Sequence, residues 1–496
     1  MKISTNLITR EQYIIPDILD DSVGIETFLS QNKKKKVIVV QGLGFVGAVM
    51  SLVCANALTE EYAVIGVDLA NESTFWKIKS INNGQFPLIA DDPKIDKFFD
   101  ESKRKGNFYA TYDPLAYRYA NVVIVDINLD VKKNSEEYGP LKNFNVDLKG
   151  FKEAITLIGS NCREDVLILV ETTVPPGTCE QIVKPIIEKQ LTHRGLSVDK
   201  YKLGHSYERV MPGPEYIDSI REFPRVYAGC NVLSADSIAD FLGTIINTKA
   251  CELTRLQHTN ASEMCKVLEN SYRAMNISFA IEWSRFAEEA GVNLYEMVDA
   301  IRVRKTHANL MYPGIGVGGY CLTKDPLLAS WARKEFFGAR NDLEMSVNSV
   351  SANDQMPVFA FNRLIDIYGD LKRKRVAILG ISYRGDVGDT RFSPVETLFK
   401  KVKIAGGIVR LHDPFVPFWE EQKCDVEKNI MPILESNPDL IIISAGHSLY
   451  KSPEVLSSLL GIEKTFIYDT VGLLGYDQIL LLQNYHRVSV LGRGDL

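Results

Sequence analysis

Val37-Ile-Val-Val-Gln-Gly42-Leu-Gly44-Phe-Val-Gly47 drives a strand-length apolar run into a GxGxxG turn, and an apolar helical stretch follows through Ala57. The three glycines have separate physical jobs. The first makes the turn, the second lets backbone approach a pyrophosphate, and the third lets the helix pack onto the strand. A second apolar strand, Ala63–Val67, ends at Asp68, 21 residues past Gly47. A carboxylate at that strand end accepts from both hydroxyls of a ribose. No Arg or Lys follows until Lys77 to neutralise a 2′-phosphate, so the cofactor expected is NAD rather than NADP. Phe45 and Val46 complete the cofactor-binding turn with Gly42, Gly44 and Gly47.

Outward from that stretch, strands and helices alternate. Asn121–Ile127 and Val166–Glu171 read as buried strands, which argues a parallel, doubly wound sheet. From about residue 250 the texture changes. Met264, Leu268, Tyr272, Met275, Phe279, Trp283 and Phe286 step by three or four along one stripe of a long helix, with Gly291 as its stop. Lys266, Asn270 and Arg273 mark a second, polar face. A stripe of this size suggests a central spine or a contact with a second copy. Alternation restarts at Lys374 with strands Arg375–Leu379, Ile408–His412, Asp439–Ala445 and Thr465–Tyr468. The segment Ser393-Pro-Val-Glu396 reads as a capping box, with Ser393 as cap and Pro394 at the first helical position. The fold expected is therefore α/β: two Rossmann-like doubly wound domains joined by a long central helix.

Composition narrows the function classes. The 496 residues carry 57 Lys and Arg against 63 Asp and Glu, a net charge of −6, which leaves no electrostatic footprint for nucleic acid. The eight cysteines are scattered without CxxC spacing and the seven histidines without HExxH, so neither a disulfide framework nor a metal site is expected. The first twenty residues lack the apolar core of a signal peptide. No apolar run approaches the roughly 20 residues of a membrane helix. A soluble, cytoplasmic chain with no membrane or nucleic-acid partner is expected. The run Lys33–Lys36 reads as a solvated approach to the first strand.

The chemistry concentrates at Gly314-Ile-Gly-Val-Gly-Gly-Tyr-Cys321-Leu-Thr-Lys-Asp325. Four glycines ahead of a cysteine allow backbone to lie close to a ligand, and Lys324 and Asp325 can favour a thiolate and place a water. By itself Cys321 also reads as a small buried apolar residue. Its flanks favour the nucleophile, because a core cysteine needs neither a glycine loop nor an adjacent ion pair.

Six ordered motifs now resemble one family, the nucleotide-sugar 6-dehydrogenases of the UDP-glucose/GDP-mannose type, from Lys36 onward. GLGFVG is similar to that family's GxGYVG, ETTVPPGT at 171–178 to its ESTxxPGT, and YERVMPG at 207–213 to its PERVLPG. KVLEN at 266–270 resembles its lysine–asparagine helix and GVGGYCLTKD at 316–325 its GGxCxxxD loop. GISYRGDVGDTRFSP, with HDP at 412–414, resembles its C-terminal nucleotide signature. The resemblance implies four segments: a leader over 1–35, an NAD-binding Rossmann-like domain over 36–250, a central helical dimerisation domain over 251–355 and a C-terminal nucleotide-sugar-binding domain over 356–496. It also implies oxidation of a sugar C6 alcohol to a carboxylate with two NAD and one water, in a homodimer or higher homo-oligomer.

By the same resemblance Cys321 is the nucleophile and Lys266 the oxyanion stabiliser. Asn270 holds substrate and water, while Thr173, Glu208 and Asp325 orient water and move protons. Thr173 also borders the cofactor. Glu208, Arg209, Lys266, Asn270, Gly318, Gly319, Tyr383 and Arg384 contact the substrate. The chemistry suits these residue types: a thiolate adds to an aldehyde, the adduct is oxidised again, and water hydrolyses the thioester. Taken singly, Lys266 reads as a solvated helix residue, Glu208–Arg209 as a surface ion pair and Thr173 as a turn hydroxyl. Their joint order favours catalysis. His447 matches a family position, and a core or turn histidine explains it equally well.

Several positions depart from the family pattern. Leu129 stands where a threonine borders the cofactor, Tyr207 replaces a proline, Tyr320 replaces a histidine, and DTVGLL lacks an expected arginine and asparagine. ERVMPG and PPGT resemble members acting on UDP-N-acetylhexosamines, whereas Cys-x-x-Lys-Asp is closer to UDP-glucose enzymes; an N-acetylhexosamine is expected. Rival readings are a UDP-glucose enzyme, a two-electron hydroxyacid-type dehydrogenase that would not need Cys321, and a catalytically silent nucleotide-sugar sensor, which would have no use for a thiolate.

Overall fold

The computed structural model describes residues 2–88, 92–135, 138–210 and 213–496. Two compact units emerge, one of Met1–Asp130 with Val146–Val267, the other of Val131–Asn145 with Leu268–Leu496.

The first unit is built on an eight-stranded sheet. Its order is Leu253–Arg255, Arg225–Gly229, Lys202–His205, Leu167–Val170, Val122–Val125, Lys36–Gln41, Tyr62–Val67 and Phe108–Thr111. Only the Lys202–His205/Arg225–Gly229 pair is antiparallel. The strands are short apolar β-branched runs such as VIVV, VVIV and LILV, buried on both faces as a covered parallel sheet requires. Chain order runs outward in opposite directions from the Lys36–Gln41/Val122–Val125 boundary. This is the topological switch point, where open α/β sheets bind ligands at the carboxyl ends of their strands.

Residues 1–35 form more than a polar leader. Ile3–Thr5 and Gln12–Ile14 pair antiparallel, and Ser22–Gln31 is helical, with Ile25 and Phe28 buried. Asp21 anchors the segment by accepting from Tyr109 Oη (2.9 Å) and Thr111 Oγ1 (2.6 Å) at the edge strand.

The second unit carries a five-stranded parallel sheet in the order Ile408–His412, Arg375–Leu379, Leu440–Ile443, Phe466–Asp469, Arg487–Val490. The last strand, RVSV, was not expected; it alternates apolar and polar residues too briefly to stand out. The expected capping box at 393–396 does not form. The helix begins at Val395, Ser393 Oγ accepts only from Val395 N (3.3 Å), and Glu396 pairs with Lys400 one turn on (2.6 Å). Strands Asp130–Ser135 and Leu141–Asp147 also escaped the sequence reading. They form a two-stranded sheet, and Val131–Asn145 folds with the second unit through Lys133–Asp354 (2.7 Å) and Leu141 N donating to Ser351 Oγ (3.1 Å).

The long helix spans Thr259–Ala290 and stops at Gly291, whose φ of +70° suits glycine. Its amphipathicity is inverted. Val267, Ala274, Ile277, Ile281 and Ala287 pack inward, while Leu268 (65% exposed), Tyr272, Phe279, Trp283 and Phe286 face outward. Lys266 and Asn270 are buried, and Arg273, placed with them by spacing, is exposed.

The ends of two strands are tied by Arg225 Nη1 and Glu171 Oε1 at 2.6 Å, both almost wholly buried. Removing one partner of such a pair strands a buried charge. Arg225→Met should cost about 3–5 kcal/mol, read as an earlier transition in urea denaturation; a loss below about 1 kcal/mol would show the pair to be dispensable.

Candidate active site

The turn after Lys36–Gln41 has the geometry a dinucleotide needs. Gly42 has φ +100°, and a Cβ there would lie 2.3 Å from Asp126 O. A Cβ on Gly47 would meet Gly42 O at 2.0 Å, so the helix Phe45–Ala55 packs against its own turn only with glycine at that position. Gly44 opens onto free space within 4 Å, leaving room for a phosphate at the helix N-terminus. Asp68 accepts from Leu43 N (2.9 Å) and Leu69 N (2.7 Å), and burial raises its pKa. The charge of Lys77, distant in sequence, reaches Asp68 and opposes that rise. These residues fit NAD.

Further carboxyl ends of the same sheet supply polar side chains. Thr173 is half-buried in the segment following Leu167–Val170. Glu208 is buried beyond Lys202–His205, and its backbone oxygen accepts from Lys266 Nζ at 2.8 Å, with Oε1 3.9 Å away. Burial removes the solvated reading of Lys266. Tyr207 is fully buried, bonds Cys265 Sγ through its hydroxyl and lies 5.4 Å from both Lys266 Nζ and the Arg209 guanidinium. Arg209 donates to Pro224 O (2.7 Å) and to Tyr207 Oη (3.2 Å), so it braces Tyr207. Met211 and Pro212 of the 207–213 motif lie outside the described residues.

Sequence reasoning missed Asp126 in this cluster. Three carboxyls (Asp126, Glu171, Glu208) meet two cations (Arg225, Lys266), and neither oxygen of Asp126 has a donor from the protein. Burial first, then the neighbouring Glu171, pushes its pKa well up. Nothing local in the sequence marked it.

The second unit assembles the cysteine loop. Cys321 is exposed, which removes the buried-core reading. Its backbone oxygen accepts from Asp325 N (2.9 Å) at the start of helix Asp325–Glu335. Asp325 is wholly buried between Asn270 Nδ2 (2.6 Å) and Lys324 Nζ (2.7 Å), and the Lys324 ammonium also lies 4.5 Å from the Tyr320 ring. A Cβ on Gly318 would strike Phe392 O and Tyr383 Cβ at 2.5 Å, and Gly319 rests on the Tyr383 ring. These glycines therefore couple the cysteine loop to the Tyr383–Arg384 turn, where Arg384 is exposed. His447 is a structural turn histidine here: Nδ1 accepts from Asp386 N (2.9 Å) and Nε2 faces Asp413 Oδ2 (3.1 Å). Lys266 and Asn270 share one helix a turn apart, the first with the groups of unit one and the second with those of unit two. Among the described residues no group of His, Cys, Asp and Glu is placed to hold a metal, and no helix is long and apolar enough to cross a membrane.

A dinucleotide crevice in one unit and a second parallel sheet with its own nucleotide-type turn in the other make the class an NAD-dependent dehydrogenase of nucleotide sugars. The chain matches the NAD binding domain of the UDP-glucose/GDP-mannose dehydrogenase family over 36–240, its central domain over 260–353 and its UDP binding domain over 377–476. It belongs to that family. It is 30% identical over 421 residues to a UDP-N-acetyl-D-mannosamine dehydrogenase of Pyrococcus horikoshii, covering 84% of this chain and 90% of the relative. A solved structure described as a UDP-D-ManNAc dehydrogenase from Pyrococcus horikoshii superimposes with a TM-score of 0.76 at 26% identity, covering 93% of this chain and all of that one. The NDP-N-acetyl-D-galactosaminuronic acid dehydrogenase of Methanosarcina mazei shares the fold, with a TM-score of 0.74 at 24% identity and coverage of 95% and 98%.

Two outcomes follow. Asp68 should make kcat/KM for NAD exceed that for NADP by more than about tenfold; equal values would show that Lys77 neutralises the 2′-phosphate. Asp126 has a folded pKa raised above its unfolded value, so its contribution to stability is present at low pH and lost as pH rises through the folded pKa. Asp126→Asn should flatten the decline in melting temperature that wild type shows as pH rises above the ordinary carboxylate range; an unchanged decline would assign it to other groups.

Proposed function

We propose that the enzyme oxidises the C6 alcohol of a UDP-N-acetylhexosamine to the carboxylate, by two oxidations with a thioester on Cys321 between them. The observation that carries this reading is the exposed thiol on a glycine loop whose following carboxylate, Asp325, is bonded to Asn270 one turn from the buried Lys266. A two-electron enzyme needs no such thiol. The relatives are named for N-acetylated hexosamine substrates, which supports the choice of sugar.

Bound at Gly42, Gly44, Phe45, Val46, Gly47 and Asp68, NAD supplies the electron acceptor. Lys266 stabilises the alkoxide that develops in each oxidation, its ammonium aimed by Glu208 O. Cys321 Sγ adds to the C6 aldehyde, forming a carbon–sulfur bond. After the second oxidation water attacks the thioester carbonyl and the thiolate leaves. Asn270, Thr173, Glu208 and Asp325 orient that water, a carboxylate taking its proton. Overall one alcohol, one water and two NAD yield one carboxylate, two NADH and three protons. Arg384 pairs with the diphosphate and Tyr383 fixes the turn that presents it, while Gly318 and Gly319 bring backbone close to the sugar.

The same reading places the enzyme in the cytoplasm as a homodimer. The stripe of Leu268, Tyr272, Phe279, Trp283 and Phe286 leaves more apolar surface outward than a spine helix needs, and a second copy covers it.

Incubation with NAD and a panel of UDP-sugars tests the proposal: two NADH per sugar with uronate as product, fastest for an N-acetylhexosamine. One NADH per sugar, with aldehyde or ketone accumulating, would exclude the thioester. Cys321→Ser should keep fold and nucleotide affinity but lose uronate turnover, because a hydroxyl is a poor nucleophile at neutral pH. Lys266→Ala should slow both oxidations by about 3–4 kcal/mol of barrier. Light scattering should find a dimer at micromolar concentration; a fully active monomer would return the stripe to the status of bare surface.

A further inference from the structure

Glu263 lies one turn before Lys266 on the long helix, on the buried polar face that continues to Asn270. It is completely buried, and among the described residues no cation pairs with it. Its Oε2 accepts from Gly177 N at 2.6 Å and its Oε1 from Cys179 N at 2.8 Å. Both amides belong to the turn that follows Val174-Pro175-Pro176. Two consecutive prolines have no N–H to tie that stretch of chain down, and Gly177 there has φ +101°. Thr178 N is taken by Pro175 O, so Glu263 satisfies the two amides that remain. Upstream, the same segment begins at Glu171, fixed by Arg225, and Thr173 lies between the two anchors.

We propose that Glu263 is a positioning residue for the reaction: its ionised carboxylate pins the Pro175–Cys179 turn to the start of the long helix, holding Thr173 in register with Lys266, and the turn is released when Glu263 takes up a proton. A carboxylate offers an acceptor to each amide, whereas a carboxylic acid turns one oxygen into a donor facing a donor. Burial, first, and the nearby Glu180 push the pKa of Glu263 up to about 7, against the pull of the two amides and Cys179. Glu180 is paired with Lys184 (3.2 Å), and the Cys179 and Cys230 thiols beside it are pushed up and stay neutral. On the neighbouring strand His205, bonded to Ser262, is driven down to about 3 and is also neutral. Lys266, on the helix itself, is held by Glu208. Stability and activity then oppose one another. Because the folded pKa is raised, Glu263 contributes stability at low pH that fades as pH rises through about 7, whereas the latch closes only above that value.

The inference rests on the dehydrogenase reading for its effect on rate, but the latch itself can be read without turnover. Hydrogen exchange of the Gly177 and Cys179 amides, corrected for intrinsic rates, should lose protection in wild type as pH falls from about 8 to about 6. That change should be absent in Glu263→Gln. Wild-type kcat should fall about tenfold per pH unit below about 7. In Glu263→Gln this acid limb should vanish, with activity lowered at every pH. Glu263→Asp, which keeps an ionisable acceptor, should restore a limb with a displaced midpoint even if the glutamine variant folds poorly. Protection that ignores pH in wild type, or an acid limb unchanged in Glu263→Gln, would overturn the latch. Titrating protection in a protein that oxidises no nucleotide sugar would instead sink the functional reading and leave the latch standing.

Discussion

Three polar side chains buried along one face of the Thr259–Ala290 helix dictate how the rest of this protein is arranged. Burying Glu263, Lys266 and Asn270 without partners would cost several kcal/mol for each charged group, so every one of them must be met by a fixed donor or acceptor. Glu263 is met by two amides of a proline-rich turn, Lys266 by Glu208 O and the Tyr207 ring, and Asn270 by Asp325. Each partner sits at a strand end or a helix start, positions that regular structure leaves with open backbone groups. The helix thus selects which loops are rigid. The larger apolar side chains Leu268, Tyr272, Phe279, Trp283 and Phe286 are left on the outward face, while smaller ones such as Val267 and Ala274 pack inward.

The electrostatics of the first unit follow from the same economy of partners. Acids outnumber cations at the strand ends, and low dielectric forbids leaving all of them charged. Asp126, whose oxygens meet no donor among the described residues, has its pKa pushed well up by burial first and then by Glu171. Arg225 Nη1 donates to Glu171 Oε1, and the backbone oxygen of Glu208 accepts from Lys266. Tyr207, which stands where the family pattern has a proline, is absorbed by local bonding, and the lysine keeps its place.

In the second unit, glycine performs a connecting role. Gly318 and Gly319 let the cysteine loop lie directly on Tyr383, and Asn353 bonds both the N–H and the carbonyl of Val317. His447 and Asp413 hold the turn from the other side. The exposed Cys321 thiol and the Tyr383–Arg384 turn are therefore mechanically joined, so that one rigid patch sets the position of both.

What the sequence determined by itself was local. The GxGxxG turn, Asp68 at the next strand end, the glycine–cysteine loop and both alternating α/β regions are legible because each is written in neighbouring residues with a fixed period or spacing. The tertiary structure alone decided matters that depend on desolvation and on contacts between distant residues. It folded residues 1–35 into a hairpin and helix, assigned Val131–Asn145 to the second unit, replaced the expected capping box with a Glu396–Lys400 pair, and chose which face of the long helix is buried. The burial of Glu263 and the raised pKa of Asp126 were invisible for the same reason: a carboxylate's chemistry is set by what surrounds it, and its surroundings come from strands and turns that lie tens of residues away in the chain.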